Sequence, residues 1–463
     1  MTGTRGTGSG READGADGTS GGRGSADGHG QGPGRGAARS RAAARTAGGG
    51  HGAHRTIGGS EAWLVWGLAT AFVVWLFAIQ TGYGIVSPEI QRSAGLTVAQ
   101  IGLAGSVYTW AFAFCQFFSG ALLDRFGSRP LLAVAVAFVT VGAFLYARTT
   151  GFGTLVTAQI VIAVGAAFGF VGAGYIGGQW FPAARYGLMF GMVQSLASLG
   201  SAIGQPAISW RLEQVSWQRL LNGFGVAGVV LTVLFVLLVR NPAPGPGRVE
   251  RPRSALLPSI ARALGTCFGN RNVLLAAALS GVSFGSMIAM GSLWGPRLVR
   301  AQGAGESLAA ALSAMSWLGL AVGAPLFNIV SNRWGSRRVP AVAGVFLQAV
   351  SVAVLICLPA GVPGVTTVVM FAVGFFSGAQ MLGFTVAGES VPAALVGSSA
   401  AIVNGVCFIL AGVLEAVPGR LLPDVPSLAD YRSALLIMPL LLVAGAVAGL
   451  FIRDTARATT QGS

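Results

Sequence analysis

The chain has 463 residues, 53% hydrophobic and only 10% charged, with a formal net charge of +15. A soluble chain of this length carries about a quarter charged residues, so a soluble globular protein is excluded. All 30 basic residues are arginine; without lysine no G-x4-GK[ST] phosphate loop exists, which excludes a nucleotide-driven pump within this chain.

The first segment, 1–60, is rich in Gly and Arg, and Ile57 is its only large aliphatic residue after Met1. It cannot bury enough apolar area to offset the entropy of ordering, and is read as a disordered cytoplasmic tail. Acids interrupt its arginines, so no nucleic-acid partner is expected. The first apolar run starts too late and is too long for a signal peptide.

From Ala62 onward, apolar runs of about 20 residues follow one another, each long enough to cross a bilayer. They predict an all-α polytopic membrane protein with twelve helices, over 62–86, 98–123, 130–148, 153–178, 187–209, 218–239, 272–296, 307–330, 339–358, 363–387, 394–417 and 432–452. The Pro- and Arg-rich stretch "RNPAPGPGRVERPRSALLPSIARALG", Arg240 to Gly265, separates the sixth from the seventh. The chain therefore divides into a first six-helix bundle (61–239), a cytoplasmic linker with a short amphipathic helix (240–271), a second bundle (272–453) and a short tail (454–463). With the N-terminus inside, fourteen arginines after the first tail fall on the cytoplasmic side, among them Arg185 and Arg453, and eight on the other. The positive-inside rule then places both termini in the cytoplasm.

The two bundles repeat. "GALLDRFGSRP", Gly120 to Pro130, follows the second helix, and "NIVSNRWGSRR", Asn328 to Arg338, follows the eighth, so that Asp124 and Asn332 stand 208 positions apart. "GGQWFPAARYG", from Gly177, and "AGESVPAALVG", from Ala387, agree at an offset of 210 after the fourth and tenth helices. Parallel repeats of six helices are one plan for secondary transporters.

The pattern G-x-x-x-D-R-x-G-x-R after the second of twelve helices resembles the major facilitator superfamily, over about 62–453. The resemblance implies two bundles that rock about a central cavity and open it to one side at a time. It also implies that Asp124 caps and ties the end of the eleventh helix, and that the arginines bind acids across the cytoplasmic interface. The candidate gating residues are Gly120, Asp124, Arg125, Gly127 and Arg129, with Asn332, Arg333, Gly335 and Arg337 in the copy. The copy lacks the acid, so closure is expected to be lopsided, with the first half holding the stronger latch.

"YIGGQWFPAARYGLMFG", from Tyr175, resembles the loop of the anion:cation symporter group and bacterial organic-acid carriers. It also resembles relatives of the lysosomal dipeptide carrier, which have an arginine where this chain has Ser198. Proton-linked members of the superfamily commonly carry Arg at the position of Gln159. The embedded basic residues of nitrate and oxalate carriers have no counterpart here. Gly191, Gly200 and Gly204 keep part of the antiporter spacing of drug exporters, and equally suit close helix packing.

Polar groups inside a membrane must face a cavity or a neighbouring helix. The candidate substrate-binding residues are Gln80 and Tyr83 on the first helix, Tyr108 on the second, Tyr175 on the fourth, Gln194 and Ser198 on the fifth, Trp294 and Arg297 on the seventh, Gln380 on the tenth and Asn404 on the eleventh. On the seventh helix Ser283, Met287, Met290, Trp294 and Arg297 share one face at helical steps. Glu415, on the Asn404 face, is the candidate coupling acid. The three histidines lie in the tail and the four cysteines are scattered, so neither a His-centred site nor a metal or disulfide framework is indicated.

The function expected is transport of a small organic solute, an anion or zwitterion, by a monomeric plasma-membrane carrier without a cofactor, either facilitative or driven by a co-transported ion such as a proton. Export of amphipathic compounds is the alternative within transport. A transporter-like receptor would need a folded signalling domain, and an enzyme would need a nucleophile–base or metal cluster; the sequence offers neither.

Overall fold

The computed structural model describes residues 58–240, 256–359, 362–423 and 426–456. The expected tail at 1–57, most of the linker before Leu256 and the last seven residues lie outside the described residues. Among the described residues there are 12 helices long and apolar enough to cross a membrane. In chain order they are α1 (Ser60–Ala94), α2 (Val98–Phe126), α3 (Ser128–Ala147), α4 (Phe152–Trp180), α5 (Ala183–Leu212) and α6 (Trp217–Leu238), then α7 (Arg271–Ala301), α8 (Glu306–Trp334), α9 (Arg338–Cys357), α10 (Pro363–Glu389), α11 (Ala393–Leu421) and α12 (Leu428–Gly449).

Local chemistry sets the ends. Thr97 starts α2 with a capping box, its side chain accepting from Gln100 N while the Gln100 side chain accepts from Thr97 N; such a pair satisfies donors that a helix start leaves open. Asn270 does the same for α7, accepting from the N–H groups of Asn272 and Val273. Gly335 closes α8 in the left-handed region, φ 58°, where a side chain would be strained. α1 runs eight residues past its expected end at 86 and takes Pro88 into the helix. The polar stretch there continues the backbone bonds and needs no apolar face to do so.

The halves repeat in backbone as well as sequence. Pro182 (φ −55°, ψ 143°) leads through the 3-10 turn Ala183–Arg185 into the main part of α5. Pro392 (φ −55°, ψ 146°) leads through Ala393–Leu395 into that of α11. α4 is interrupted between Ala166 and Gly169, and α10 by a 3-10 turn at Gly378–Gln380, 211 residues on from Ala167 at the start of the repeat's break. α7 departs from any counterpart in the first half by a π-helical segment, Ala289–Trp294.

Within the second bundle α8 and α10 pack backbone to backbone. A Cβ added at Gly374 would lie 1.7 Å from the Ser316 carbonyl, and one at Gly323 2.0 Å from that of Phe375. Small residues permit this approach where lipid offers no hydrophobic drive between helices. The outer faces are apolar: α6 exposes Val226, Val230, Val233 and Leu237, the surface that meets lipid. Before α7, a linker helix at Leu256–Phe268 buries Ile260 and Cys267 and exposes Leu257.

Candidate functional site

The bundles meet along two seams, α2 against α11 and α5 against α8. At the end of α2, Asp124 is 5% exposed. One carboxylate oxygen accepts from Gly397 N at 3.0 Å; the other accepts from Ser398 N at 2.8 Å and Ser398 Oγ at 2.7 Å. The first N–H groups of a helix have no partner within it and carry partial positive charge. A carboxylate therefore caps α11 from the opposite bundle, through charge-assisted bonds about twice as strong as neutral ones.

Two glycines admit this contact. A Cβ on Gly397 would stand 2.7 Å from Asp124 Oδ1, and one on Gly120 would stand 2.1 Å from the Gly397 carbonyl and 2.6 Å from Ala401 Cβ. Backbone cannot yield there as a flexible side chain can. Gly120→Ala is expected to part this end of the seam and slow transport several-fold while the protein still inserts. Initial uptake rates normalised to membrane protein check it, and an unchanged rate would show that the close approach is dispensable.

Further along, Gln116 meets Asn404, with Asn404 Nδ2 donating to Gln116 Oε1 at 3.0 Å. Beyond them the Phe112 and Phe408 rings lie 4.4 Å apart. At the far end, a Cβ on Gly412 would find Thr109 only at 3.7 Å. The seam is thus tightest at the end carrying the α2–α3 loop and loosens away from it.

The α5–α8 seam follows the same course with other groups. Ser195 Oγ donates to the Ala321 carbonyl. A Cβ on Gly187 would meet Asn328 Oδ1 at 2.3 Å, and one on Gly191 the Ala324 carbonyl at 2.7 Å. Asn328, which takes the repeat position of Gly120, faces the start of α5. Asn332, the counterpart of Asp124, is exposed and accepts from Arg337 Nη1.

Arg337 organises the second loop inside its own bundle. Its guanidinium donates to Glu389 at 2.9 and 3.3 Å and to Ser331 Oγ at 3.1 Å, while its backbone N–H donates to Asp454 Oδ1 at 2.9 Å. Asp454 also accepts from the Ser336 hydroxyl and from the N–H of Arg338, and so caps α9. Partial burial pushes the Asp454 carboxyl up, but these hydrogen bonds outweigh it and hold it below the ordinary value of 3.8. A depressed carboxyl stabilises the fold above its unfolded pKa, and that contribution is lost as pH falls through the lower folded value. The melting temperature is expected to fall as pH drops below about 4, with a shallower fall in Asp454→Asn, read by thermal unfolding in detergent. Parallel curves for the two proteins would remove Asp454 from the acid response.

In the first loop, the Arg125 guanidinium donates to Ser259 Oγ on the linker helix and lies 5.7 Å over the Phe126 ring. Phe268, at the other end of that helix, lies 5.9 Å from Phe117 of α2. Gly127 has φ 81° between α2 and α3. Arg129, in the first turn of α3, and Arg333, in the last turn of α8, are exposed.

Between the seams lies a narrow cavity. Gln80 of α1, Gln194 of α5 and Asn404 of α11 supply its polar wall. Phe77, Phe112, Phe170, Phe284 and Phe408 surround them, and none of the lining residues is ionisable. Three of the expected substrate-binding residues therefore come together. Ser198 lies one turn from Gln194 and accepts from its Nε2 at 3.0 Å. Tyr108 stacks on Phe112, ring centroids 6.0 Å apart; its buried hydroxyl has no hydrogen-bond partner among the described residues. Gln380 is buried, and its Oε1 has no hydrogen-bond partner among the described residues. Tyr175 is buried in α4, five residues past the lining Phe170 towards the loop end.

Other candidates are placed elsewhere. Tyr83 donates to the Ile101 carbonyl at 2.7 Å and ties α1 to α2. Trp294 donates to the Leu414 carbonyl at 3.1 Å, and the exposed Arg297 lies 5.2 Å over its ring. Glu415 is half-buried, next in sequence to Leu414. Ser283 turns into the second bundle, donating to Gln348 Oε1 at 2.6 Å, and its neighbour Phe284 lines the cavity. The π-helical segment, Ala289–Trp294, lies within the face expected on α7 and changes its register between Met287 and Arg297. Each extra residue in a turn rotates the remainder of the helix by about 100°.

Sequence reasoning passed over Gln116, Ser119, Asn328, Glu389 and Asp454. An amide within the apolar run "FAFCQFFSG" is itself a signal, since polar groups at such depth need partners.

Residues 67–416 match the sequence profile of the Major Facilitator Superfamily. The chain belongs to the Major Facilitator Superfamily. A probable galactarate/D-glucarate transporter of Escherichia coli K12 is 27% identical over 188 residues, 38% of this chain and 42% of that protein, so the match spans less than half of that relative. A probable L-galactonate transporter of the same organism is 24% identical over 416 residues, covering 83% of this chain and 88% of that protein. The crystal structure of the Escherichia coli fucose:proton symporter superposes with a TM-score of 0.65 at 16% identity, over 84% of this chain and 98% of that one. The fold of twelve helices in two bundles is thereby shown, in a multi-pass membrane protein of a transporter family.

Proposed function

We propose that the chain is a secondary carrier for a small hydroxylated organic acid, which it moves by alternating access in the plasma membrane with both termini cytoplasmic. The observation that carries this reading is the cavity enclosed where the two bundles meet, with amide groups set among aromatic rings. Amides hydrogen-bond hydroxyl and carboxylate oxygens, and rings pack on the C–H faces of an extended carbon chain. Relatives named for galactonate and for galactarate/D-glucarate support the substrate class. With the α2–α3 loop cytoplasmic, the seams are closed towards the cytoplasm. One chain encloses the cavity with its own two bundles, so a monomer suffices.

The absence of an ionisable lining residue bears on coupling. An acid crossing as an anion moves net charge against the membrane potential, and a proton moved with it makes the transfer electroneutral. Glu415 is the acid that takes the proton in this reading. Glu415→Gln is expected to lower accumulation driven by a pH gradient at least ten-fold while solute exchange at equal pH persists. Accumulation equal to wild type would remove Glu415 from coupling.

The test of the function is uptake into proteoliposomes of L-galactonate, D-glucarate and L-fucose, with and without an inside-alkaline gradient. Gradient-dependent accumulation of either acid is expected. Uptake of no organic acid, with export of amphipathic dyes, would overturn the reading in favour of an exporter.

A further inference from the structure

Asn404 faces two ways. It lines the cavity, and its Nδ2 donates across the α2–α11 seam to Gln116 Oε1 at 3.0 Å. Gln116 lies outside the lining and is fully buried, as is Ser119. These two side chains form a closed pair. Gln116 Nε2 donates to Ser119 Oγ at 3.0 Å, and Ser119 Oγ donates to the Gln116 carbonyl at 2.8 Å.

The directions of these bonds follow from donor and acceptor inventory. The Ser119 hydroxyl gives its single proton to the backbone, so towards Gln116 it can only accept. The Gln116 amide must then turn its NH2 to Ser119 and its carbonyl to α11. A carbonyl cannot donate, so Asn404 must bring its own NH2 into the seam. An amide that points nitrogen one way points oxygen the other, and Asn404 is left with its Oδ1 on the cavity side. A serine one turn along α2 therefore fixes what α11 offers to a solute.

We propose that Gln116, held by Ser119, is a positioning residue that fixes the Asn404 amide with its donor in the seam and its carbonyl towards the cavity, so that this wall selects a solute hydroxyl and rejects a carboxylate oxygen. The inference rests on the proposed carriage of a hydroxylated acid and deepens it. The hydroxyl end of the acid lies against α11, and the carboxylate end lies towards Gln80 and Gln194 on the first bundle. The second proton of the Gln194 NH2 remains for it once Ser198 has taken the first. A solute hydroxyl donating to Asn404 Oδ1 also polarises the amide and strengthens its bond to Gln116. Occupancy of the cavity thereby tightens the seam on the Asp124 side.

The test compares uptake of L-galactonate with that of its monodeoxy analogues, each lacking one hydroxyl, by the full chain in proteoliposomes. A site built to bond a hydroxyl discriminates strongly against the analogue without it. In wild type, one analogue is expected to have a kcat/KM lower than L-galactonate by at least ten-fold. Ser119→Ala frees the Gln116 amide to turn over, and Gln116→Leu removes it; both are expected to bring that ratio to within about three-fold of unity. Ser119→Thr, which keeps the hydroxyl, is expected to retain the wild-type ratio. A merely structural role would change the rates of all probes together and leave the ratio alone. If wild type transports L-galactonate and the ratio is the same in all four proteins, or no analogue is discriminated, the positioning role is overturned and the carrier reading stands. If wild type takes up no L-galactonate, both fall.

Discussion

Replacing Asp124 with alanine is expected to lower the maximal transport rate at least ten-fold while leaving KM within about three-fold of wild type. The carboxylate accepts from Gly397 N, Ser398 N and Ser398 Oγ, and is itself buried. Its removal leaves donors at the start of α11 without a partner, and each buried orphan costs about 1–3 kcal/mol. That cost falls only on the state in which the α2–α11 seam is closed at this end. A bias of about 2 kcal/mol shifts a two-state ratio roughly thirty-fold, and a carrier that must visit both states slows accordingly. The cavity lies at the level of Asn404 and Phe408, about 1.7 and 2.8 turns along α11 from Ser398, so solute contacts are retained. Asp124→Asn keeps one acceptor but turns an NH2 towards a backbone donor, and is expected to slow transport less. Initial uptake rates at several concentrations, under gradients of both directions, measure the effect. Equal rates in wild type and both variants would end the assignment of Asp124 as a latch.

Replacing Arg337 with alanine is expected to act on stability. The guanidinium is engaged by Glu389, Ser331 and Asn332, and the ion pair is largely buried, at 8% and 15% side-chain exposure. Breaking such a pair by removing one partner costs about 3–5 kcal/mol, because the other charge stays buried. The melting temperature in detergent is expected to fall by roughly 5–10 °C. Arg337→Lys recovers part of this, since a single ammonium cannot reproduce the forked contact with the carboxylate. Arg337→Met combined with Glu389→Leu recovers most of it, since no unpaired charge remains. A double variant as unstable as the alanine variant would mean that the loss comes from packing rather than from the stranded glutamate.

The two loops look alike in sequence and act on different partners. The first, through Asp124, reaches across the seam; the second, through Arg337 and Asp454, holds α8, α9 and α10 within one bundle. The exchange of Asp124 for Asn332 is legible in the repeat. That Asn328 rather than Asn332 faces the start of α5 is not legible, because it depends on how far α8 is turned about its axis. The missed Glu389 is a related case. It stands in the repeat "AGESVPAALVG" as an ordinary loop acid, and only the fold brings it to Arg337.

By itself the sequence determined the number of the spans and their approximate places, the repeat of the loop motifs and the positions of polar side chains along the spans. Each of these is a property of one segment: hydrophobic length, or turn chemistry at a proline or glycine. Beyond the Asp124–α11 contact that the family resemblance implied, the tertiary structure decided which polar groups meet. Asp124 and Ser398 are 274 residues apart, and Gln116 and Asn404 are 288 apart. Of the polar residues on helical faces, Gln80, Gln194 and Asn404 reach the cavity, while Ser283 turns into the bundle. The physical reason is rotation: a shift of one residue turns a helix face by about 100°. Nothing in the length or hydropathy of a span records that angle. Contact between the bundles sets it, through the backbone approach at Gly120 and Gly397 and the bonds that close around them.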